Sequence, residues 1–345
     1  MGTSLVFPAP KDTYTPEWME GKLKYYTKPK QRSQEQESTS PFPFLCYGSR
    51  KSSGKIPYLY LKHDFGYNKR RHLIIYFHGN SELLSEAYAT LEKYHNILDV
   101  IICLYSFSNY LFQMDVIAPE YPGYGLYNDE DPSEKMIVED AFLILKHCIE
   151  ELKYSQENII LIGRSLGTGV AVQMNPLFPK IKAIILISAF LSVRYVGENV
   201  AGRTLSKFLP NVFRNEDFIE TVTAPVLFIH GMKDTLVPWT ASQSLYTKCK
   251  APKMLCVSAT MEHNNMDYKN DIFIPIMKFF DEKLGMNEFG KMAEGDEDKL
   301  RMLTEMDDFP YMAFPEYETK NSARSTPRLR IKFSDSVVAT AGDDY

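Results

Sequence analysis

One short stretch constrains this chain more than any other. A continuous apolar run, Ile159-Ile-Leu-Ile162, breaks into Gly163-Arg-Ser165-Leu-Gly167, and a helical pattern follows. That places a G-x-S-x-G pattern between a strand and a helix, the setting in which a serine is held on a sharp, strained turn. Residues two before and two after such a serine must be small to avoid it, which accounts for Gly163 and Gly167. The turn lifts Ser165 Oγ out of the sheet. It also sets the backbone N–H of Leu166 at a helix N-terminus, facing any negative charge that develops there. A glycine-rich nucleotide loop competes for the same glycines, but a P-loop is excluded because no Lys-Ser/Thr pair follows them.

The surroundings of the turn predict an α/β fold. Runs at 73–77, 116–118, 159–162, 183–187, 226–229 and 254–257 are apolar on both faces, as strands buried between two helical layers are. Between them lie helical patterns, such as 133–152 with Ile137, Ala141, Ile144, Leu145, Cys148 and Leu152 at spacings of three and four. Upstream, 42–47 and 56–61 flank a Ser-Ser-Gly turn and read as a hairpin. The expected architecture is a mostly parallel, doubly wound sheet with an antiparallel start. Residues 190–223, too few for a full cap domain, predict a short helical lid. The domain spans 42–285, with a Pro-, Lys-, Gln- and Ser-rich extension at 1–41 and a polar tail at 286–345.

A serine nucleophile needs a base, and in this arrangement the chain order is serine, acid, histidine. Of the seven histidines only His230 and His263 follow Ser165. His230 ends a strand, whereas His263 sits in a loop beyond the last core strand, from which its ring can reach the turn. His263 is the expected base. Asp234 follows a strand at the carboxyl edge of the sheet, where sites form in open α/β folds, and is the expected acid. Glu262 and Asp267 are rivals for that role. After an earlier strand comes Phe77-His78-Gly79-Asn80, in which the N–H of Asn80 is expected to supply a second oxyanion donor beside Leu166.

Composition narrows the partners. A net charge of −5 gives no global field toward nucleic acid or anionic lipid. The five cysteines are odd in number and widely spaced, which argues against a disulfide framework or a zinc site and fits a reducing compartment. The chemistry calls for neither metal nor cofactor. The N-terminus lacks a signal-peptide pattern, and although Gly2 follows Met1, Val6 stands where a myristoylation site carries Ser or Thr. A cytoplasmic protein is expected.

Several motifs together resemble the α/β-hydrolase domain-containing 17 group, which includes protein depalmitoylases. They are His78-Gly-Asn80, Glu120-Tyr-Pro-Gly-Tyr-Gly125, Gly163-Arg-Ser-Leu-Gly-Thr168, Ala224-Pro-Val-Leu-Phe-Ile-His-Gly231 with Asp234, and His263-Asn264. The resemblance implies an α/β-hydrolase fold, a serine hydrolase acting on acyl esters or thioesters, an acylated protein or small acyl ester as substrate, and peripheral association with the cytosolic face of membranes. A carboxylesterase or lipase, a serine peptidase-like hydrolase and a non-catalytic binding protein are the alternatives. The chain departs from the group in three places. The group's N-terminal cysteine cluster is missing, the first cysteine being Cys46. Met261-Glu262 precedes the expected base. Residues 100–114 form an insert bracketed by Asp99-Val-Ile101 and Asp115-Val-Ile117, either non-native sequence or a lineage-specific flap. Met254, Met261 and Trp239 are candidates for the border of an acyl groove. In the tail, Arg330-Ile-Lys-Phe333 resembles a phosphatase-docking segment, with Ser325-Thr-Pro327 beside it as a candidate phosphosite.

Overall fold

A computed structural model describes residues 23–27, 55–62, 72–80, 82, 84, 87, 91, 114–127 and 131–285. Residues 100–113 of the insert, the tail segment Arg330-Ile-Lys-Phe333, Ser325-Thr-Pro327 and Gly2 lie outside them.

An eight-stranded sheet organises the described chain. In chain order its strands are β1 (Leu23–Thr27), β2 (Lys55–Leu61), β3 (His72–Phe77), β4 (Met114–Pro119), β5 (Ile159–Arg164), β6 (Ala183–Ile187), β7 (Val226–Gly231) and β8 (Lys253–Ser258). They lie in the order β1-β2-β4-β3-β5-β6-β7-β8, antiparallel as far as β2/β4 and parallel from β4 onward. This is the mostly parallel, doubly wound sheet of the α/β-hydrolase fold. Its central strands are apolar throughout because each face carries its own core. Ile75, Phe77 and Leu161 pack into one layer, while Ile74, Tyr76, Ile160 and Ile162 pack into the other.

Segment 42–47, expected to form a hairpin with 56–61, lies outside the described residues. β2 pairs with β1 on one edge and with β4 on the other. The first of these, Leu23–Thr27, lies within the stretch expected to be an extension. Its Leu-Lys-Tyr-Tyr-Thr sequence alternates as a half-exposed edge strand does and shows no buried apolar run.

Helices connect the parallel strands. α1 (Glu134–Glu150) is capped by Ser133, whose Oγ accepts the Met136 N–H at 3.3 Å, and it buries Ile137, Ala141, Ile144, Leu145 and Cys148 as its spacing predicted, whereas Leu152 lies beyond its end, half-buried against the same core. α2 (Leu166–Met174) leaves β5 with every residue buried. Between β6 and β7, in the stretch that predicts a lid, stand the helical segments α3 (Val193–Ser206) and α4 (Asn215–Phe218). The remaining helices are α5 (Thr240–Lys248), between β7 and β8, and α6 (Ile274–Leu284), which follows β8 and packs on the second core layer. Met254 and Met261 belong to that layer with 1% exposure each, so both are core side chains rather than walls of a groove. Trp239 is half-buried against the first layer.

Candidate active site

Ser165 stands between β5 and α2 with φ 49° and ψ −115°, a conformation that non-glycine residues rarely adopt and that surrounding structure must impose. Two contacts impose it. The Ser165 N–H donates to the Ile187 carbonyl at 2.9 Å, fastening the turn to β6. The neighbouring backbone also closes in. A Cβ on Gly163 would lie 2.4 Å from the Gly167 carbonyl oxygen, and one on Gly167 would lie 2.0 Å from the Phe77 carbonyl oxygen. The elbow is therefore pressed directly against the end of β3, where the His78-Gly-Asn80 loop begins.

The expected base comes from the segment after β8. His263 Nε2 lies 3.1 Å from Ser165 Oγ, and its Nδ1 lies 2.7 Å from Asp234 Oδ2. All three side chains are buried. The loop carrying His263 reaches this position by crossing the end of β7 at Gly231, where any Cβ would meet the Met261 carbonyl oxygen at 1.9 Å. The Met232 N–H donates to Ser258 and the Lys233 N–H to Met261, which ties the two loops together. The rival acids are engaged elsewhere. Asp267 accepts from the Lys269 and Asn270 amides as a helix cap, and Glu262 is exposed.

Asp234 is fixed on both oxygens. Oδ1 accepts the N–H groups of Leu236 at 3.0 Å and Val237 at 2.8 Å, leaving Oδ2 for His263. Beneath it, His230 Nε2 stands 2.9 Å from the Val237 carbonyl and 3.3 Å from Asp234 Oδ2. Both neighbours can only accept, so that nitrogen carries a proton and points positive charge density at the carboxylate. Burial alone would raise the Asp234 pKa. The hydrogen bonds from His230 and His263, the charge of His263 and the Val237 amide outweigh it and hold the carboxyl well below the usual carboxylate range. Asp234 is thus an anion wherever the protein is folded and near neutral pH. His230, the other histidine in the required chain order, belongs under the acid and not beside the serine.

The loop expected to hold an oxyanion is braced by the Glu120–Gly125 motif and by two residues the sequence pattern did not single out, Glu82 and Arg164. His78, fully buried, has Nε2 3.2 Å from Glu120 Oε1, and its ring stacks on Tyr121 at a centroid distance of 3.9 Å. The Tyr121 hydroxyl donates to the His78 carbonyl at 2.9 Å, and the Tyr124 hydroxyl donates to Asn80 Oδ1 at 2.5 Å. The Glu120-Tyr-Pro-Gly-Tyr-Gly125 segment is therefore the splint of the His78-Gly-Asn80 loop, which leaves Asn80 exposed at its tip. A second brace runs through Arg164. One Nη donates to Glu82 Oε2 at 3.0 Å, and that same oxygen accepts the Gly79 N–H at 2.7 Å. The other Nη donates to the His263 carbonyl at 2.9 Å and to Asn264 Oδ1 at 2.7 Å. Arg164 thus joins the loop expected to hold an oxyanion to the loop that carries the imidazole. Leu166, the other expected donor, is the first residue of α2.

His78 yields a pH prediction. Burial alone would lower its pKa, but Glu120, the charge of Glu82 and the Gly79 carbonyl more than compensate and raise it above the ordinary histidine value. A raised folded-state pKa contributes stability that is fully present below the unfolded value near about 6.5 and is lost as pH rises through the folded value. Glu120→Gln should therefore destabilise the protein most below that pH, and the gap from wild type should narrow as pH rises. Urea unfolding at a series of pH values checks this; a gap that widens with pH would contradict it.

The cysteines among the described residues offer no thiolate. Burial pushes the Cys256 thiol up to about 12 and raises Cys148 and Cys249 as well, so these stay protonated. No group of His, Cys, Asp and Glu side chains suited to a metal ion occurs among the described residues, and no helix there is long and apolar enough to cross a membrane.

The central region resembles known proteins. Residues 129–265 match the serine hydrolase family FSH1. That span contains Ser165, Asp234 and His263. The chain is similar to Alpha/beta hydrolase domain-containing protein 17C of Mus musculus, 31% identical over 155 residues, which cover 44% of this chain and 46% of that protein. It is also similar to Protein bem46 of Schizosaccharomyces pombe, 26% identical over 188 residues, covering 53% and 58%. The chain spans about half the length of the curated relatives it matches. Among solved structures, Est1E from Butyrivibrio proteoclasticus shares the fold with a TM-score of 0.51 at 16% identity, covering 68% of this chain and 97% of that one. The Pyrococcus furiosus esterase Pf2001 does so with a TM-score of 0.51 at 16% identity, covering 75% and 90%.

Proposed function

We propose that this chain is a serine hydrolase cleaving acyl esters and thioesters through an acyl-enzyme, and that its substrates are long-chain acyl groups carried on proteins. The observation that carries the reading is the unbroken line from Asp234 Oδ2 through the His263 ring to Ser165 Oγ, at 2.7 and 3.1 Å. In this reading His263 Nε2 takes the proton from Ser165 as Oγ attacks the acyl carbon. Asp234 keeps the other ring nitrogen protonated and stabilises the imidazolium that forms. The carbonyl oxygen becomes an oxyanion accepting from the Asn80 and Leu166 amides, each such donor typically being worth about 10²–10³ in rate. Collapse breaks the C–S or C–O bond, and the imidazolium returns its proton to the leaving group. Water, activated by the same imidazole, then releases the acid.

Two considerations support the substrate class. A departing thiol with a pKa near about 8.5 needs little proton assistance, so the arrangement suits thioesters and esters better than amides. The resemblance to a group that includes protein depalmitoylases points to acylated proteins, approached on the cytosolic side of a membrane. The test is release of fatty acid from a palmitoylated-cysteine peptide, compared with p-nitrophenyl esters of graded acyl length. Thioester cleavage that rises with chain length and falls at least about 10⁴-fold in Ser165→Ala is the expected result. Preference for short acyl esters, with the palmitoyl thioester untouched, would instead mark a small-molecule carboxylesterase.

A further inference from the structure

The large hydrophobic side chains that remain exposed among the described residues are few and share one region. Phe208 is 85% exposed, Val200 64%, Leu205 61% and Leu236 38%. The first three lie on α3 and the turn just after it, and the fourth lies in the loop of the catalytic acid. These two segments are joined. Asn199 Nδ2 donates to the carbonyls of Thr235 at 2.8 Å and Leu236 at 3.1 Å, and the Leu236 N–H in turn donates to Asp234 Oδ1. Leaving such side chains in water is costly unless something covers them.

The charges beside them say what that is. The chain as a whole carries −5, yet the charged residues exposed along 199–208 are Arg203 and Lys207, both cationic, and Lys233 is exposed on the acid loop between Met232 and Asp234. A surface combining bulky apolar side chains with lysine and arginine on an otherwise acidic protein has the chemistry of an interfacial membrane-binding element.

We infer that the lid face formed by Val200, Leu205 and Phe208, flanked by Arg203, Lys207 and Lys233, is a docking surface for an anionic phospholipid bilayer. The docking is read from this surface alone. Its use, bringing membrane-borne acyl chains to Ser165, rests on the hydrolase reading above. Because Asn199 fastens the lid to the acid loop, a docked lid would hold the site against the interface.

The test is co-sedimentation of the full-length chain with phosphatidylcholine vesicles with and without phosphatidylserine. Wild type is expected to partition onto the phosphatidylserine vesicles. Phe208→Ser combined with Leu205→Ser, and separately Arg203→Glu combined with Lys207→Glu, should each lower that partition by about tenfold or more. Both double variants should react with a soluble fluorophosphonate at the wild-type rate, which separates a docking defect from an unfolded or inactive site. Equal binding of wild type and both variants, binding indifferent to phosphatidylserine, or no vesicle binding at all would overturn the proposal. So would self-association of the wild type through the same four side chains. If vesicle binding follows the expected pattern while no variant or wild type reacts with the probe, the docking surface stands and the hydrolase reading fails.

Discussion

Asp234→Asn should lower kcat by about four orders of magnitude while leaving the fold in place. The reason lies in which oxygen is already committed. Oδ1 accepts two backbone N–H groups, from Leu236 and Val237, and an amide nitrogen cannot replace it there. The asparagine will therefore keep its oxygen on that side and present its NH2 to His263 Nδ1. Facing a donor, Nδ1 must accept, so the ring's proton moves to Nε2, the nitrogen that stands 3.1 Å from Ser165 Oγ. The imidazole is then in the wrong tautomer to take a proton from the serine. Steady-state kinetics on a p-nitrophenyl ester, with circular dichroism to show an unchanged fold, measures this. A loss of less than tenfold would mean that Asp234 does not set the tautomer.

The largest effect on stability is expected at Gly167. Every atom that an added methyl would meet there is backbone: the Phe77 carbonyl oxygen at 2.0 Å, its carbon at 2.5 Å and the His78 carbonyl oxygen at 2.9 Å. No rotamer change can relieve that, so α2 would have to leave the sheet. Gly167→Ala should cost about 4 kcal/mol or more, enough to remove most of the stability of an ordinary domain. Gly202, inside α3, is the control. Its φ of 82° and ψ of 159° suit only glycine, but an added Cβ meets nothing within 4 Å. Gly202→Ala should therefore cost only the local backbone strain, about 1–3 kcal/mol. Urea denaturation of both variants tests the comparison. Equal midpoints would mean that the elbow is not packed against β3 as described.

The parts of this molecule that could be read from its sequence are those in which chemistry and local conformation coincide. Ser165 was legible because an elbow needs a strand before it, glycines at fixed offsets and a helix after it, all within one short segment. The meeting of Asp234 and His263 with Ser165 was legible because each follows a strand at the same sheet edge. Arg164 was not. It fills the variable position of the G-x-S-x-G pattern, and its partners Glu82 and His263 are brought to it only by the sheet's parallel order. The role of Glu120-Tyr-Pro-Gly-Tyr-Gly125 was half legible: the motif marked a family resemblance, but only the stacking of Tyr121 on His78 and the bond from Tyr124 to Asn80 show why those residues are needed. The pairing of β2 with Leu23–Thr27 was not legible, because that strand is separated from β2 by a long stretch and carries no buried run to announce itself.

Ser165 as a nucleophile activated by His263 is the central claim, and covalent labelling tests it most directly. Full-length protein treated with a fluorophosphonate probe, digested and analysed by mass spectrometry, should carry the adduct on the peptide containing Ser165. The adduct should be absent from Ser165→Ala and strongly slowed in His263→Ala. Folded wild-type protein that takes up no probe, or takes it up at another residue, would contradict the account.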